Sequence, residues 1–224
     1  MFIFHKLFLY FCMDIDTFID AAERGDEEGV RRGCEAGFVN TFGSSGWTAA
    51  MYAVNHRQLH ILKILVEYGA DLNLLTKDQQ NSLIVACCGI KDINLNIAKY
   101  LLANGADPSI INKYGSTAAH YAAQCDSPEC LRLVVVDDVL DKQDRWHKTV
   151  MDWAVECNIN DCVDVLNSAY VWRSRRVLIM CIVKTLVPPI RNCDERLLDT
   201  RVIRRLGLIM SSYVMGMVTR FIPK

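Results

Sequence analysis

The 224-residue chain has no uninterrupted apolar run of the roughly 20 residues that a membrane helix needs. It has no phosphate-cradling glycine loop, no Gly-x-Ser-x-Gly, no His-Glu-x-x-His and no paired-carboxylate motif. The sequence therefore gives no ground for phosphoryl transfer, serine-nucleophile hydrolysis, zinc peptidase or glycosidase chemistry. It also lacks a Cys-x-x-Cys pair. Its ten cysteines are irregularly spaced and fall inside helical patterns, so they read as small buried apolar residues of a reducing compartment. No large excess of one charge sign exists overall, since the net charge is −1. That total conceals two halves. Residues 169–224 carry 11 Lys+Arg against 3 Asp+Glu, whereas residues 1–168 carry 14 against 23. An acidic body argues against nucleic acid as its partner, and a basic tail calls for an acidic surface somewhere.

What is present is ample apolar material. Half the residues are hydrophobic, enough to bury a core. The first twelve, "MFIFHKLFLYFC", are apolar but too short to span a membrane, and they lack the charged start and small-residue cleavage site of a signal peptide. Met13 opens "MDIDTFIDAAERGD", which reads as an ordinary cytosolic start. Residues 1–13 are therefore expected to be an overextended start or an unstructured apolar arm. The cytoplasm is the expected compartment, with the nucleus as the alternative.

The chain repeats itself. "GWTAAMYAV" (46–54) and "GSTAAHYAA" (115–123) align without a gap, and "LHILKILVEYGADLN" (59–73) resembles "LNIAKYLLANGADPS" (95–109). Anchored on Thr48 and Thr117, weaker copies begin at Asn81 and Thr149, so the steps are 33, 36 and 32 residues. The longer step carries its extra residues near 89–94. Each unit parses as a polar turn, a short helix, a break and a second helix. Thr48 and Thr117 stand where N-caps belong, and Gly69 and Gly105 close the second helices. In the unit beginning at Thr48, Leu59, Leu62, Leu65 and Val66 predict the buried face of the second helix. A single unit cannot bury such a face alone; stacked neighbours can.

These features resemble the ankyrin-repeat family. Thr48 and Thr117 match the threonine of its Thr-Pro-Leu-His motif, His120 the histidine, and Ala53, Ala86, Ala122 and Ala154 the first alanine. Gly46 and Gly115 match the turn glycine. Ala49, Ser82, Ala118 and Val150 replace the proline, Met51, Ile84 and Asp152 replace the histidine in the other copies, and His147 replaces the turn glycine in the last. The resemblance implies an all-α solenoid of helix-turn-helix units with β-turn or hairpin tips over 14–168. Residues 14–40 serve as a charged capping unit, and four units of about 32–36 residues follow. It implies a structural role for His120, whose hydrogen bonds tie the turn to the helix start and to the next unit, rather than a catalytic or metal-binding one.

The cysteines offer one sharper alternative. Cys125 and Cys157 share a register in adjacent units, as do Cys130 and Cys162, which could suggest zinc. Register-equivalent residues of stacked units lie too far apart for sulfurs that must all sit about 2.3 Å from one ion. Cys130 and Cys162 also align with Ile61 and are expected in the core. Cys125 and Cys157, in turns, could be reactive, but neither has a basic neighbour in sequence. No metal, cofactor or catalytic residue is expected, and the protein is read as a non-enzyme.

Function is expected at the tips and the concave side of the first helices, which vary freely while the stack stays fixed. The candidate partner-binding residues are Ser45, Trp47, Lys77, Asp78, Lys113, Tyr114, Arg145 and Trp146, with Ser44, Gln80, Ser116 and Lys148 beside them. Trp47, Tyr114 and Trp146 are either interface anchors or aromatics packed on neighbouring turns. Tyr52, Tyr121 and Trp153 share another register, where partial burial is expected. The reading is of a monomeric adaptor that binds a protein partner.

The tail, 169–224, reads as a helix over "AYVWRSRRVLIMCIVKTL" ended by Pro188-Pro189, then a second helix over about 199–221. It caps the array, lies on an anionic membrane, or recruits a second protein, as F-box-like tails of some ankyrin proteins recruit ubiquitin ligases. No motif for the last is present.

Overall fold

The computed structural model describes residues 14–88 and 95–186, and every regular element in them is a helix. The helices come in pairs. They are α1 (Ile15–Arg24) with α2 (Glu27–Glu35), α3 (Ala49–Asn55) with α4 (Leu59–Glu67), and α5 (Ser82–Cys87) with α6 (Leu95–Ala103). α7 (Ala118–Gln124) with α8 (Pro128–Val134) follow, then a single turn α9 (Asp137–Leu140), and α10 (Val150–Glu156) with α11 (Asn160–Leu186). First helices stack in one row, α1 on α3 on α5 on α7 on α10, and second helices lie behind them. The expected tips are turns rather than strands. Among the described residues the only bridge is an isolated antiparallel one between Phe42 and Thr48.

The first helices start where a side chain can satisfy an orphan amide. Asp14 accepts from the Thr17 N–H at 2.7 Å, Thr48 from Met51 at 3.4 Å, Asn81 from Ile84 at 2.9 Å and Thr149 from Asp152 at 3.2 Å. Three second helices end on a left-handed glycine, Gly37, Gly69 and Gly105, with φ of 88°, 83° and 88°. The following amide then reaches back five residues, as in Ala70 N–H to Leu65 O at 2.9 Å and Ala106 N–H to Leu101 O at 3.0 Å. α8 has no such glycine. Val135 turns extended instead, and α9 occupies the space before the fourth tip.

Burial follows the small-residue column. Ala53, Ala86, Ala122 and Ala154 are all at most 1% exposed, because the first helices approach too closely for larger side chains. The buried face of α4 is rotated from the expected one. Ile61, Leu62, Ile64 and Leu65 are buried, whereas Leu59 and Val66 are half-buried, so the apolar face points between α2 and the first-helix row. Each fully buried Leu or Ile contributes about 1.5–3 kcal/mol. Cys130 and Cys162 are core residues, as their alignment with Ile61 requires. In the capping pair, Gly33 is needed for space: a Cβ there would lie 2.1 Å from the Phe18 ring. Glu27 and Glu28 face outward.

The chain divides into two compact units, one ending at Leu166 and the other beginning at Asn167. α11 gives Cys162, Val165 and Leu166 to the first unit's core. In the second unit the Arg173 guanidinium lies 5.1 Å from the Tyr170 ring centre, and Val171, Trp172 and Val177 are exposed. The expected boundary at 168/169 falls inside α11, and the tail's first expected helix is its continuation. No helix among the described residues is long and apolar enough to cross a membrane. The N-terminal arm, the insertion at 89–94, Pro188-Pro189 and the amphipathic helix expected at 199–221 lie outside the described residues.

Candidate interaction surface

The tips alternate outward and inward residues. Thr76, Asn112 and Asp144 are buried, while the residues on either side, Leu75 and Lys77, Ile111 and Lys113, Gln143 and Arg145, are exposed. Each inward side chain clasps its own turn. Thr76 Oγ1 accepts from the amides of Asp78 and Gln80, both at 3.2 Å. Asn112 Oδ1 accepts from Tyr114 at 2.9 Å and Ser116 at 3.0 Å. Asp144 Oδ1 accepts from Trp146 at 2.8 Å and Lys148 at 3.0 Å. A side chain that bonds its own backbone two residues on forms an Asx-type turn. The residue three places after the clasp then takes positive φ: 58° at Gln79, 76° at Gly115 and 60° at His147.

The first helices brace the tips. Asn112 Nδ2 donates to Tyr121 Oη at 2.7 Å, and Trp153 Nε1 donates to Asp144 Oδ2 at 2.7 Å. In the first tip, Tyr52 Oη donates to Ser45 Oγ at 2.9 Å. Tyr52, Tyr121 and Trp153 are half-buried as expected, and their work is to hold turns. Burial would raise the Asp144 pKa, but the amides of Lys148 and Trp146 and the Trp153 indole outweigh it and leave it below the ordinary 3.8.

Successive tips are bonded to each other. The Lys113 amide donates to Asp78 O at 3.0 Å and the Arg145 amide to Tyr114 O at 2.8 Å. This brings the expected partner-binding residues of the second, third and fourth tips into one continuous surface. Lys113 Nζ pairs with Asp78 at 2.5 Å and lies 4.9 Å from the Tyr114 ring centre. That carboxylate, followed by Tyr114, raises the Lys113 pKa. Tyr114 and Trp146 stack at 6.4 Å and 20°. The Arg145 guanidinium lies over both, 4.9 Å from Tyr114 and 4.4 Å from Trp146. Arg145 has no carboxylate within ion-pair reach among the described residues. Lys148 pairs with Glu156 and covers Trp153.

Two candidates differ from expectation, and Tyr114 takes the packed one of its two expected roles. Trp47 is half-buried with its ring centre 5.5 Å from Tyr52, so it packs on its own unit. Ser116 is buried, its amide and carbonyl both engaged by Asn112. Tyr114 is half-buried under Arg145, whereas Trp146 keeps half its surface exposed. Ser45 and Lys77 are exposed at the first and second tips.

His120 is fully buried, and its Nδ1 accepts the Thr117 amide at 3.1 Å. The turn-to-helix tie expected from the resemblance is thus formed. The tie to the next unit is weaker than expected: Nε2 has no protein partner within hydrogen-bonding geometry. Burial, above all, lowers the ring's pKa, against the nearby Lys148 backbone and Asp144 carboxylate. Cys125 is no activated thiol, since burial and then the Cys130 and Cys157 thiols push its pKa up. Cys87 is raised too, chiefly by its contact with Cys130 and then by burial. No group of three potential ligands among the described residues is placed to hold a metal.

Sequence reading missed two sets of residues. The clasps Thr76, Asn112 and Asp144 could have been found from their side-chain type at a fixed offset before the turn residue. The second set bridges units. Asn40 Nδ2 donates to Gly69 O at 3.1 Å while its Oδ1 accepts from Asp71 at 2.8 Å. One unit on, Asn73 makes the same pair to Gly105 O at 2.9 Å and from Asp107 at 2.8 Å.

The family model for ankyrin repeats (3 copies) matches residues 18–112 and 90–171. Relatives include "Ankyrin repeat, SAM and basic leucine zipper domain-containing protein 1" of Dasypus novemcinctus, 29% identical over 123 residues, or 54% of this chain and 26% of the relative. The protein of that name from Atelerix albiventris is 32% identical over 117 residues, 51% of this chain and 24% of its own. The chain thus matches about a quarter of the length of these relatives. With that match over most of its length, its stacked helix pairs and its glycine-closed units, the chain belongs to the ankyrin-repeat family.

Proposed function

We propose that this protein is a non-catalytic adaptor whose tips and adjoining first helices bind a partner protein. Ankyrin repeats mediate protein–protein interaction, and the family is typically without chemistry of its own. The observation that carries the reading is the surface of the second to fourth tips. Its backbone is fixed by buried clasps and tip-to-tip hydrogen bonds, yet Lys77, Arg145 and Trp146 project into solvent. A rigid base under exposed side chains lowers the ordering cost of association, and Trp and Arg are the side chains most often found to anchor interfaces. The buried thiols of Cys34, Cys87, Cys130 and Cys162 suit a reducing compartment, cytoplasm or nucleus.

Photo-crosslinking tests this directly. Benzoylphenylalanine placed at Lys77 or Trp146 is expected to capture a protein in cells, and the same group at Lys99, exposed on α6, is not. Capture only from position 99, or from none of the three, would refute the reading.

A further inference from the structure

The exposed side of the tips carries two parallel columns. One is apolar: Phe42, Leu75 and Ile111 share a register and are 43%, 43% and 47% exposed, high values for large hydrophobic side chains. Two residues on in each tip lies the other column, Ser44, Lys77, Lys113 and Arg145, cationic from the second tip onward. Residues two apart in extended backbone face the same way, and the buried clasp between them confirms the alternation here. Trp146 extends the surface at the fourth tip, beneath Arg145.

We infer that this face, if the interaction reading above holds, takes an extended acidic protein segment whose carboxylates meet Lys77, Lys113 and Arg145 and whose apolar side chains rest on Leu75 and Ile111. Charge complementarity commits the choice of partner. Lys77 and Arg145 have no carboxylate within ion-pair reach among the described residues, and Lys113 shares only the exposed Asp78. The Arg145 guanidinium, 4.9 Å from the Tyr114 ring centre and 4.4 Å from that of Trp146, keeps its charge against two aromatic rings with N–H donors left for a carboxylate. An extended chain sends successive side chains to opposite sides, so a segment running between the two columns can turn aliphatic residues to one and acidic residues to the other. A nucleic acid fits less well. It offers no aliphatic groups for Leu75 and Ile111, and residues 1–168 carry a 23-to-14 excess of acidic over basic residues that would repel a polyanion.

The test uses the full chain. A roughly 12-residue fluorescent peptide alternating Glu and Leu, about 40 Å when extended, is titrated by anisotropy beside its Lys/Leu counterpart, a single-stranded oligodeoxynucleotide and phosphatidylserine vesicles. The Glu/Leu peptide is expected to bind best and to weaken with salt. The triple variant K77E/K113E/R145E should bind it at least about tenfold more weakly and gain affinity for the Lys/Leu peptide. A milder K77Q/K113Q/R145Q variant, compared at equal circular dichroism, guards against loss of fold and should fall between. Equal binding of both peptides, an unchanged variant, or tighter binding of oligonucleotide or vesicles would overturn the inference. Selection from a random peptide library separates the two levels. Tip-dependent but non-acidic sequences would refute the acidic partner and leave the adaptor reading standing; no tip-dependent sequence at all would count against both.

Discussion

The carboxylate of Asp144 accepts the indole N–H of Trp153 at 2.7 Å, joining the fourth tip to the helix it precedes. Its other oxygen holds the amides of Trp146 and Lys148, so one buried side chain positions the exposed indole of Trp146 and the cation of Lys148 together. The same position is Asn112 one unit earlier and Thr76 before that. A single device therefore shapes three tips with three different residue types, each able to accept from its own backbone.

Replacing Asp144 by alanine leaves three donors without their acceptor in a site that is 4% exposed. Destabilisation of about 2–3 kcal/mol is expected, seen as a lower urea midpoint with an unchanged slope. Asn at this position keeps an acceptor for the turn and should lose about half as much. Equal losses for the two variants would show that the charge, not the clasp, matters.

Positive φ at Gln79 and His147, 58° and 60°, is conformational strain that Gly115 avoids at the equivalent place. Gln79→Gly and His147→Gly should each stabilise the array by about 1 kcal/mol, the left-handed penalty offset in part by glycine's greater freedom when unfolded. Gly115→Ala should do the reverse, with an added cost because a Cβ there would meet Asp144 Cα at 3.0 Å. Thermal denaturation of the three variants checks the opposite signs.

His120 is held below its ordinary pKa of 6.5, mainly by burial. The unfolded chain therefore takes up this proton first as the pH falls. The contribution to stability is fully present above 6.5 and is lost as the pH drops from there toward the folded-state value. A denaturant midpoint that declines as the pH falls below about 6.5 is expected, with a shallower decline in His120→Gln. Asp107, Asp144 and Asp152, all lowered from 3.8, act in a separate window. Their contribution is present above 3.8 and is lost as the pH falls through their folded values. An equally steep decline near neutrality in His120→Gln would assign it to another group.

Asn73 spans two units through its donor to Gly105 O and its acceptor for the Asp107 amide. Asn73→Ala should cost about 1–2 kcal/mol, two partly solvated hydrogen bonds. Because it cuts a contact between neighbours rather than within a unit, it should also broaden the unfolding transition. Hydrogen exchange in α6, faster than in α4, would locate the break. A uniform increase along the array would contradict it.

Much of this fold was legible because its signals are local and repeat. The cap threonines, the closing glycines and the alanine column each act within a few residues of themselves, and a recurring step near 33 residues multiplies a weak signal. The rotation of the α4 face was not legible, since Leu59 and Val66 are as apolar as Ile61 and Ile64 and only neighbouring α2 and α3 decide which are covered. Trp47 and Trp146 show the same limit at the candidate site. Both are tryptophans at a tip, but Tyr52 covers one while the other stays half-exposed under Arg145.

By itself the sequence determined the architecture: helix pairs that cannot bury their apolar faces alone, repeated until they can. The tertiary structure alone decided what the tips present. Cations and aromatics scattered over 70 residues of sequence become neighbours only because each tip hydrogen-bonds to the next, Lys113 to Asp78 and Arg145 to Tyr114. Contacts between units depend on the stacking geometry, and no single repeat encodes that geometry within its own span.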